Sequence, residues 1–311
     1  MSETLLVELI TEELPPKALR RLGEAFSKGL HEQLQQGDFL DEGSQLSWYA
    51  TPRRLAAHIS LVRAQSPDKA FDEKLVPARV GLDKDGKPTP ALVKRLAALG
   101  HDETAVGSIV SRNDGKLDML YLPSVAAGRP IGDGLQVALE HTVDRLPIPK
   151  VMTYQIAGGL DSVKFVRPAH ALVALLGKEI VPVTLLGLAA GRVTHGHRFL
   201  GADRITLDHA NDYETALLDK GKVVASYGAR RDEIEKQLKR KSGDLDCVLD
   251  YDDALLDEVT ALVEWPVVYA ADFEQEFLEV PQECLILTMR TNQKYFPLFD
   301  RDGKLTEQLS L

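Results

Sequence analysis

Glu12 and Glu13 stand side by side in LLVELITEELPPKAL (Leu5–Leu19), where a run of β-forming residues gives way to two prolines. Paired carboxylates can perform acid–base hydrolysis when they face one substrate across ~5–10 Å. Neighbours in an extended chain point to opposite faces, so these two do not address one atom. Acids just ahead of a helix complement the partial positive charge of its N-terminus, an effect of about 0.3–1 kcal/mol. Helix punctuation is therefore the better account of the pair. A second candidate lies in THGHRFLG (Thr194–Gly201). On a strand, His195 and His197 would share a face and could hold a metal ion. A zinc site needs three or four ligands, and with no others apparent nearby, hydrogen-bonded roles are expected. His195-Gly196-His197 is also one residue short of the HxGH nucleotide-binding signature.

Other signatures of catalysis are missing from the sequence. There is no GxxxxGK[ST], GxSxG or HExxH, and GDG (132–134) and GLAAG (187–191) lack the GxGxxG spacing of a dinucleotide site. Two cysteines, Cys247 and Cys284, without CxxC spacing are too few for a disulfide framework or a zinc cage and point to a reducing cytoplasm. Acids interrupt the first apolar stretch, so no signal peptide is expected. No apolar run reaches the roughly 18 residues of a membrane span.

The elements that must position any site follow from periodicity. TLLVELIT (Thr4–Thr11) reads as a strand. After Pro15 and Pro16, which suit a helix's first turn, Leu19, Leu22, Phe26, Leu30 and Leu34 recur at helical spacing until Gly37. LSWYATPRRLAAHISLV reads as two strands around a turn at Thr51–Pro52. A loop at Asp83–Pro90 precedes the helix ALVKRLAALG, and SIVSRNDGKLDMLYLPSV reads as a hairpin turning at Asn113-Asp114-Gly115. The helix IGDGLQVALEHTVDRL then runs into PIPK. Strands and one short helix are expected over VKFVRPAHALVALLGKEIVPVTLLGL. The remainder reads as a mainly helical stretch and two helix-to-strand passages. Without regular βαβ repetition the fold class is α+β, with no doubly wound sheet. At 311 residues and 44% hydrophobic content the chain can build two such lobes, 1–150 and 151–311, meeting at 146–150.

Charge is unevenly placed. The net charge is −10, yet Arg53–Arg95 holds ten Lys/Arg against five acids, and Asp244–Glu283 holds 13 acids and no Lys or Arg. A chain so polarised can grip a polyanion on one region while repelling it from another. Guanidinium groups suit phosphate through their bidentate fork. The candidate RNA contacts are Arg53 and Arg54 at the Pro52 turn, Lys94 and Arg95 on the helix after the 83–90 loop, and Arg167, Arg198, Arg290 and Lys294. Asn292, Gln293 and Tyr295 beside Lys294 could stack on or hydrogen-bond a base. The bland account of each arginine is pairing with one of the chain's 47 acids.

Several segments carry a resemblance in one order. The opening stretch, ATPRRLA (Ala50–Ala56), LPIPKVM (Leu146–Met152), FVRPAHALVALLG (Phe165–Gly177), GHRFLG (Gly196–Gly201), LVEWPVV (Leu262–Val268) and MRTNQKYFPLFDRDGKL (Met289–Leu305) are similar to the beta-subunit family of bacterial glycine–tRNA ligases. The resemblance implies one subunit of an α2β2 ligase that joins glycine to tRNA(Gly) in the cytoplasm, with no membrane association. ATP and Mg are then expected at the alpha subunit. This chain would hold no cofactor, metal or catalytic residue, and would contribute tRNA binding and assembly. The alternative is a scaffold that docks the alpha subunit or the rest of the beta subunit and touches tRNA little; the uncharged-to-acidic LLDEVTALVEW is a face for packing against either. Members of the family run to more than twice this length, with HD-like and anticodon-binding regions, so an N-terminal fragment is expected, its closing TEQLSL departing from the family pattern.

Overall fold

Seven consecutive buried residues, Leu5–Thr11, make the first strand, β1 (Ser2–Thr11), the spine of the fold. The structure, a computed structural model, describes residues 2–113, 115, 117–156, 159 and 161–311. After β1 come α1 (Pro16–Gln36), β2 (Leu46–Thr51) and β3 (Arg54–Arg63). Next are β4 (Lys69–Pro77), α2 (Ala78–Gly81), α3 (Pro90–Ala98), β5 (Val110–Asn113) and β6 (Asp118–Ala126). They are followed by α4 (Ile131–Asp144), β7 (Met152–Ile156), β8 (Asp161–Phe165) and β9 (Ala169–Leu176). Short strands β10 (Glu179–Ile180), β11 (Thr184–Leu185), β12 (Leu188–Gly191), β13 (Val193–Thr194) and β14 (Ile205–Thr206) lead to α5 (Tyr213–Ala216) and α6 (Tyr227–Asp244). The chain closes with β15 (Val248–Leu249), α7 (Asp253–Thr260), β16 (Ala270–Asp272), α8 (Gln282–Thr288), β17 (Phe296–Phe299) and β18 (Leu305–Ser310).

The main sheet runs β11-β12-β9-β1-β3-β2, with β10 on β9. β1 is antiparallel to both β3 and β9, and β12 is parallel to β9. One face, through Leu5, Val7 and Leu9, packs on Leu19, Leu22, Phe26 and Leu30 of α1 and Leu135 and Leu139 of α4. The other, through Leu6, Val173 and Leu175, meets Leu207, Tyr213, Leu217 and Val223. Burial on both faces explains why β1 reads as an apolar run broken only by Glu8 rather than as an alternation. A four-stranded sheet, β15-β17-β18-β16, shares a second core with α6 and α7 around Ile234, Leu238, Leu256 and Phe296. The fold is α+β, as the sequence predicts, and the described residues form no doubly wound sheet.

The division of the chain differs from the one read in the sequence. One compact unit comprises the residues up to Ala64 together with Ile131–Leu311, and the other is Gln65–Pro130. The boundary expected at 146–150 falls inside the larger unit, because β1 bonds to β9 across it from Leu5↔Leu176 to Thr11↔Ala169. The smaller unit has its own sheet, β4-β6-β5, over a core of Leu75, Leu92, Leu96, Leu120 and Leu122. Most of β4 is exposed, so it carried no alternation by which to recognise it.

Smaller expectations divide. The hairpin expected over 108–125 forms from Val110, which pairs with Tyr121, although Asp114 of its turn lies outside the described residues. The short helix expected within 163–188 is replaced by strands β8–β11, and Gly177 at φ +59 makes the tight β9–β10 turn. α1 does stop at Gly37, but the left-handed residue is Asp38 (φ +59); a Cβ on Gly37 would lie 2.9 Å from the Phe39 ring. Thr306–Ser310 of the closing TEQLSL belong to β18, paired with β16 and β17. No helix among the described residues is long and apolar enough to cross a membrane.

Candidate functional site

Antiparallel pairing brings the end of β1, the β2–β3 turn and the start of β9 to one end of the main sheet. Backbone bonds then knit them together. Thr11 N–H donates to Arg53 O (2.8 Å), Leu14 N–H to Pro52 O (2.6 Å) and Glu12 N–H to Pro168 O (2.8 Å). Proline has no N–H to offer a ladder, but its carbonyl remains an acceptor, which fits Pro52 and Pro168 to a sheet end. Glu12 is not helix punctuation: the N-cap of α1 is Pro15, without a side-chain cap. Its carboxylate instead accepts from His170 Nε2 (2.9 Å) and lies 3.6 Å from Arg198 Nη2. Arg167 Nε donates to the Glu13 carbonyl (2.9 Å).

Beneath this surface lies a buried ionic network. Arg54, with a side chain 1% exposed, contacts Glu8 Oε1 through Nη1 (3.0 Å) and Glu264 Oε1 through Nη2 (3.3 Å). It also donates to Thr51 Oγ1 (3.0 Å) and His195 O (2.9 Å). Tyr213 OH donates to Glu8 Oε1 (2.7 Å), and Arg53 Nη2 to Glu264 Oε2 (3.1 Å) and Gly196 O (3.2 Å). Burial opposes ionisation of Glu264, but Arg54 and then Arg53 hold its carboxyl below the usual range. Burial, followed by the Glu8 charge, pushes the Tyr213 phenol up, so it stays a donor at neutral pH. Ionised groups out of water are tolerated only when paired in this way.

The two histidines do not share a strand face, because β13 ends at Thr194 and both lie in the loop beyond it. His197 Nδ1 accepts from the N–H groups of Phe199 and Leu200, each at 3.2 Å, while His195 faces Asp203 at 3.6 Å. The loop presents Phe199, 85% exposed, and Leu200, 59% exposed. Its base requires glycine. His197 N–H donates to Gly221 O (2.7 Å), and a Cβ on Gly201 would sit 1.9 Å from that same oxygen.

Five of the segments singled out in the sequence thus meet at one sheet end. Residues 5–309 match the family model described as "Glycyl-tRNA synthetase beta subunit". The chain belongs to this family. It is 54% identical over 99% of its length to the glycine–tRNA ligase beta subunit of Delftia acidovorans and 54% identical over 98% to that of Thiobacillus denitrificans. The Dechloromonas aromatica beta subunit is 53% identical over 99%. The chain spans 44%, 44% and 45% of these curated relatives' lengths.

Against the family's segments, the candidate RNA contacts separate. Arg53, Arg54, Arg167 and Arg198 do gather at the sheet end. Arg54 is a correction, since a fully buried side chain presents nothing to a polyanion. Arg290 pairs instead with Asp250 (3.0 Å) and Lys294 with Glu258 (3.0 Å), and the MRTNQ segment is a π-turn ending in left-handed Lys294. Lys94 and Arg95 are exposed on α3 of the smaller unit. The acid-rich stretch is where many cations go. Its Asp246, Asp250, Asp253, Asp257, Glu258 and Glu264 pair with Arg301, Arg290, Arg231, Arg231, Lys294 and Arg53/Arg54 respectively. The basic run Arg53–Arg95 is likewise divided between the units. Gln65–Pro130 has ten Lys/Arg and nine Asp/Glu, so of the chain's 37 and 47 the larger unit holds 27 and 38.

Sequence reasoning missed Glu8, Glu264, Tyr213 and Arg230. Glu8 did leave a signal, as a lone acid within a strand otherwise apolar from Leu5 to Ile10. A charge in such a run requires a buried partner.

Proposed function

We propose that this chain is a non-catalytic part of a cytoplasmic α2β2 glycine–tRNA ligase that attaches glycine to tRNA(Gly) using ATP. The alpha subunit holds ATP and Mg. The larger unit is an assembly scaffold, and the smaller unit supplies contacts to the tRNA backbone. The observation that carries this reading is the internal neutralisation of the larger unit: Arg53, Arg54, Arg290 and Lys294 all face acids of one stretch. With 38 acids against 27 cations that unit repels a polyanion. The smaller unit is near electroneutral and exposes Lys84, Lys87, Lys94 and Arg95 on the 83–90 loop and α3.

Two measurements test it. The purified chain should give no glycine-dependent ATP–pyrophosphate exchange without the alpha subunit; exchange by the chain alone overturns the non-catalytic role. Binding of tRNA(Gly) should fall log-linearly with salt, and Lys94→Ala with Arg95→Ala should reduce the slope by about 1–2. Arg290→Met should leave it unchanged. If the paired substitution does nothing and binding is weak and shallow, the chain is a scaffold throughout.

A further inference from the structure

We infer that a groove between α5 and α6 takes up an apolar side chain flanked by a lysine or arginine from a partner polypeptide. This deepens the scaffold reading by naming the chemistry of what docks. The groove encloses about 570 Å³, within the ~300–1,000 Å³ range of ligand pockets, and lies wholly within the larger unit. Its walls are apolar, formed by Leu218, Val223, Ala225, Ala229, Pro266 and Val267. Leu218 is 42% and Val267 49% exposed. Two carboxylates, Glu214 and Glu233, also line it.

The site is built in advance. Ala229, Glu233 and Gln237 recur every four residues, so α6 turns one face to the groove. Gln237 is locked across it, its amide donating to Glu233 Oε1 (2.8 Å) and Pro266 O (3.1 Å) and accepting from Val268 N–H (2.9 Å). Glu214 is oriented by Tyr49 OH (3.2 Å).

These two acids lack the close cation that the neighbouring acid-rich stretch has. Six acids of the 246–264 stretch have an arginine or lysine nitrogen within 3.1 Å. Glu214 forms no ion pair among the described residues, and Glu233 has only Lys236 at 3.9 Å, on a side chain 82% exposed. Lys222 does not fill the role, lying over the Trp265 ring 5.3 Å from its centroid. An apolar trough bordered by two such carboxylates complements a cationic, apolar polypeptide segment and repels phosphates.

The test uses the 311-residue chain and the indole N–H resonance of Trp265, which lines the groove and is assigned by Trp265→Phe. The probes are acetyl-Leu-Arg-Leu-amide and its Gln- and Glu-centred counterparts. The Arg peptide should shift the resonance saturably at millimolar concentration, and the Glu peptide should bind at least about tenfold more weakly. Glu214→Gln with Glu233→Gln should weaken the Arg peptide about three- to tenfold, the scale of two exposed ion pairs. Ala229→Trp, at an exposed position, should fill the groove and abolish the shift while other resonances stay in place. Equal responses to the three peptides, an unchanged response in the double variant, or no saturable shift overturns the inference. Those results leave the tRNA salt titration untouched, so failure here is distinguishable from failure of the scaffold reading.

Discussion

Replacing Arg54 with methionine is expected to cost the fold about 3–5 kcal/mol, the scale of breaking a buried ion pair from one side. The native state of a typical domain is only ~5–15 kcal/mol more stable than the unfolded chain, so much of that margin would go. Methionine conserves volume but leaves Glu8, fully buried, and Glu264, 6% exposed, without their shared cation. The His195 carbonyl loses its donor as well. Adding Glu8→Gln removes one stranded charge, so the double variant should recover about 1–3 kcal/mol relative to additivity. Urea unfolding followed by circular dichroism measures both; a single-variant loss below ~1 kcal/mol would mean that the network does not hold the sheet end together.

The same pair has a pH signature. Because Glu264's folded pKa lies below its ordinary 4.5, its contribution is complete above pH ~4.5 and is lost as pH falls through the folded value. The wild-type urea midpoint should therefore decline below that pH. In the Arg54→Met variant the sign reverses. Glu264 keeps Arg53 there, but Glu8 is left in the core without a cation; protonation relieves a buried, unpaired carboxylate, so the variant gains stability as pH falls from 7 towards 5. A variant whose deficit is the same at pH 5 and pH 7 would contradict the assignment of the loss to stranded charge.

How much of this was legible depended on the range of the interactions. The period of Leu19, Leu22, Phe26, Leu30 and Leu34 gave α1, and the β-rich run Thr4–Thr11 gave β1 as a strand, because those signals are local. The sheet-end site was not legible. Glu264 meets Arg54 across 210 positions, and nothing local to LVEWPVV says which arginine it holds. The uneven charge was visible, but its meaning inverted: the acid-rich stretch does not shun the cations, it neutralises them. The smaller unit escaped notice because β4 is largely exposed and lacks alternation. Nothing in the sequence marked Gly196 and Gly201, yet both are required by the close approach of Gly221.

Arg230→Met is expected to be nearly as damaging, by about 3–5 kcal/mol, for a different reason. Its guanidinium is fully buried and donates to backbone carbonyls: Ala50 O (2.7 Å), Val224 O (2.7 Å), Thr260 O (3.0 Å) and Ala225 O (3.4 Å). One side chain on α6 thereby ties β2, the strap before α6 and the end of α7. Burial pushes its pKa down to about 10, against the pull of Glu264, so it remains a cation at neutral pH. Methionine leaves these acceptors in the core without donors, each costing about 1–3 kcal/mol before water or local relaxation relieves part of it. Lysine should recover less than half, because a point charge cannot reproduce the planar fork that reaches several carbonyls at once. Trp48 supplies a local readout. It stacks on Tyr227 at 5.8 Å, and the Arg230 guanidinium lies 5.5 Å from the same ring, so its emission should change before global unfolding. Val224 and Ala225 also line the groove between α5 and α6. The folded fraction of Arg230→Met should therefore lose the Arg-peptide response, linking the buried guanidinium to the surface it supports.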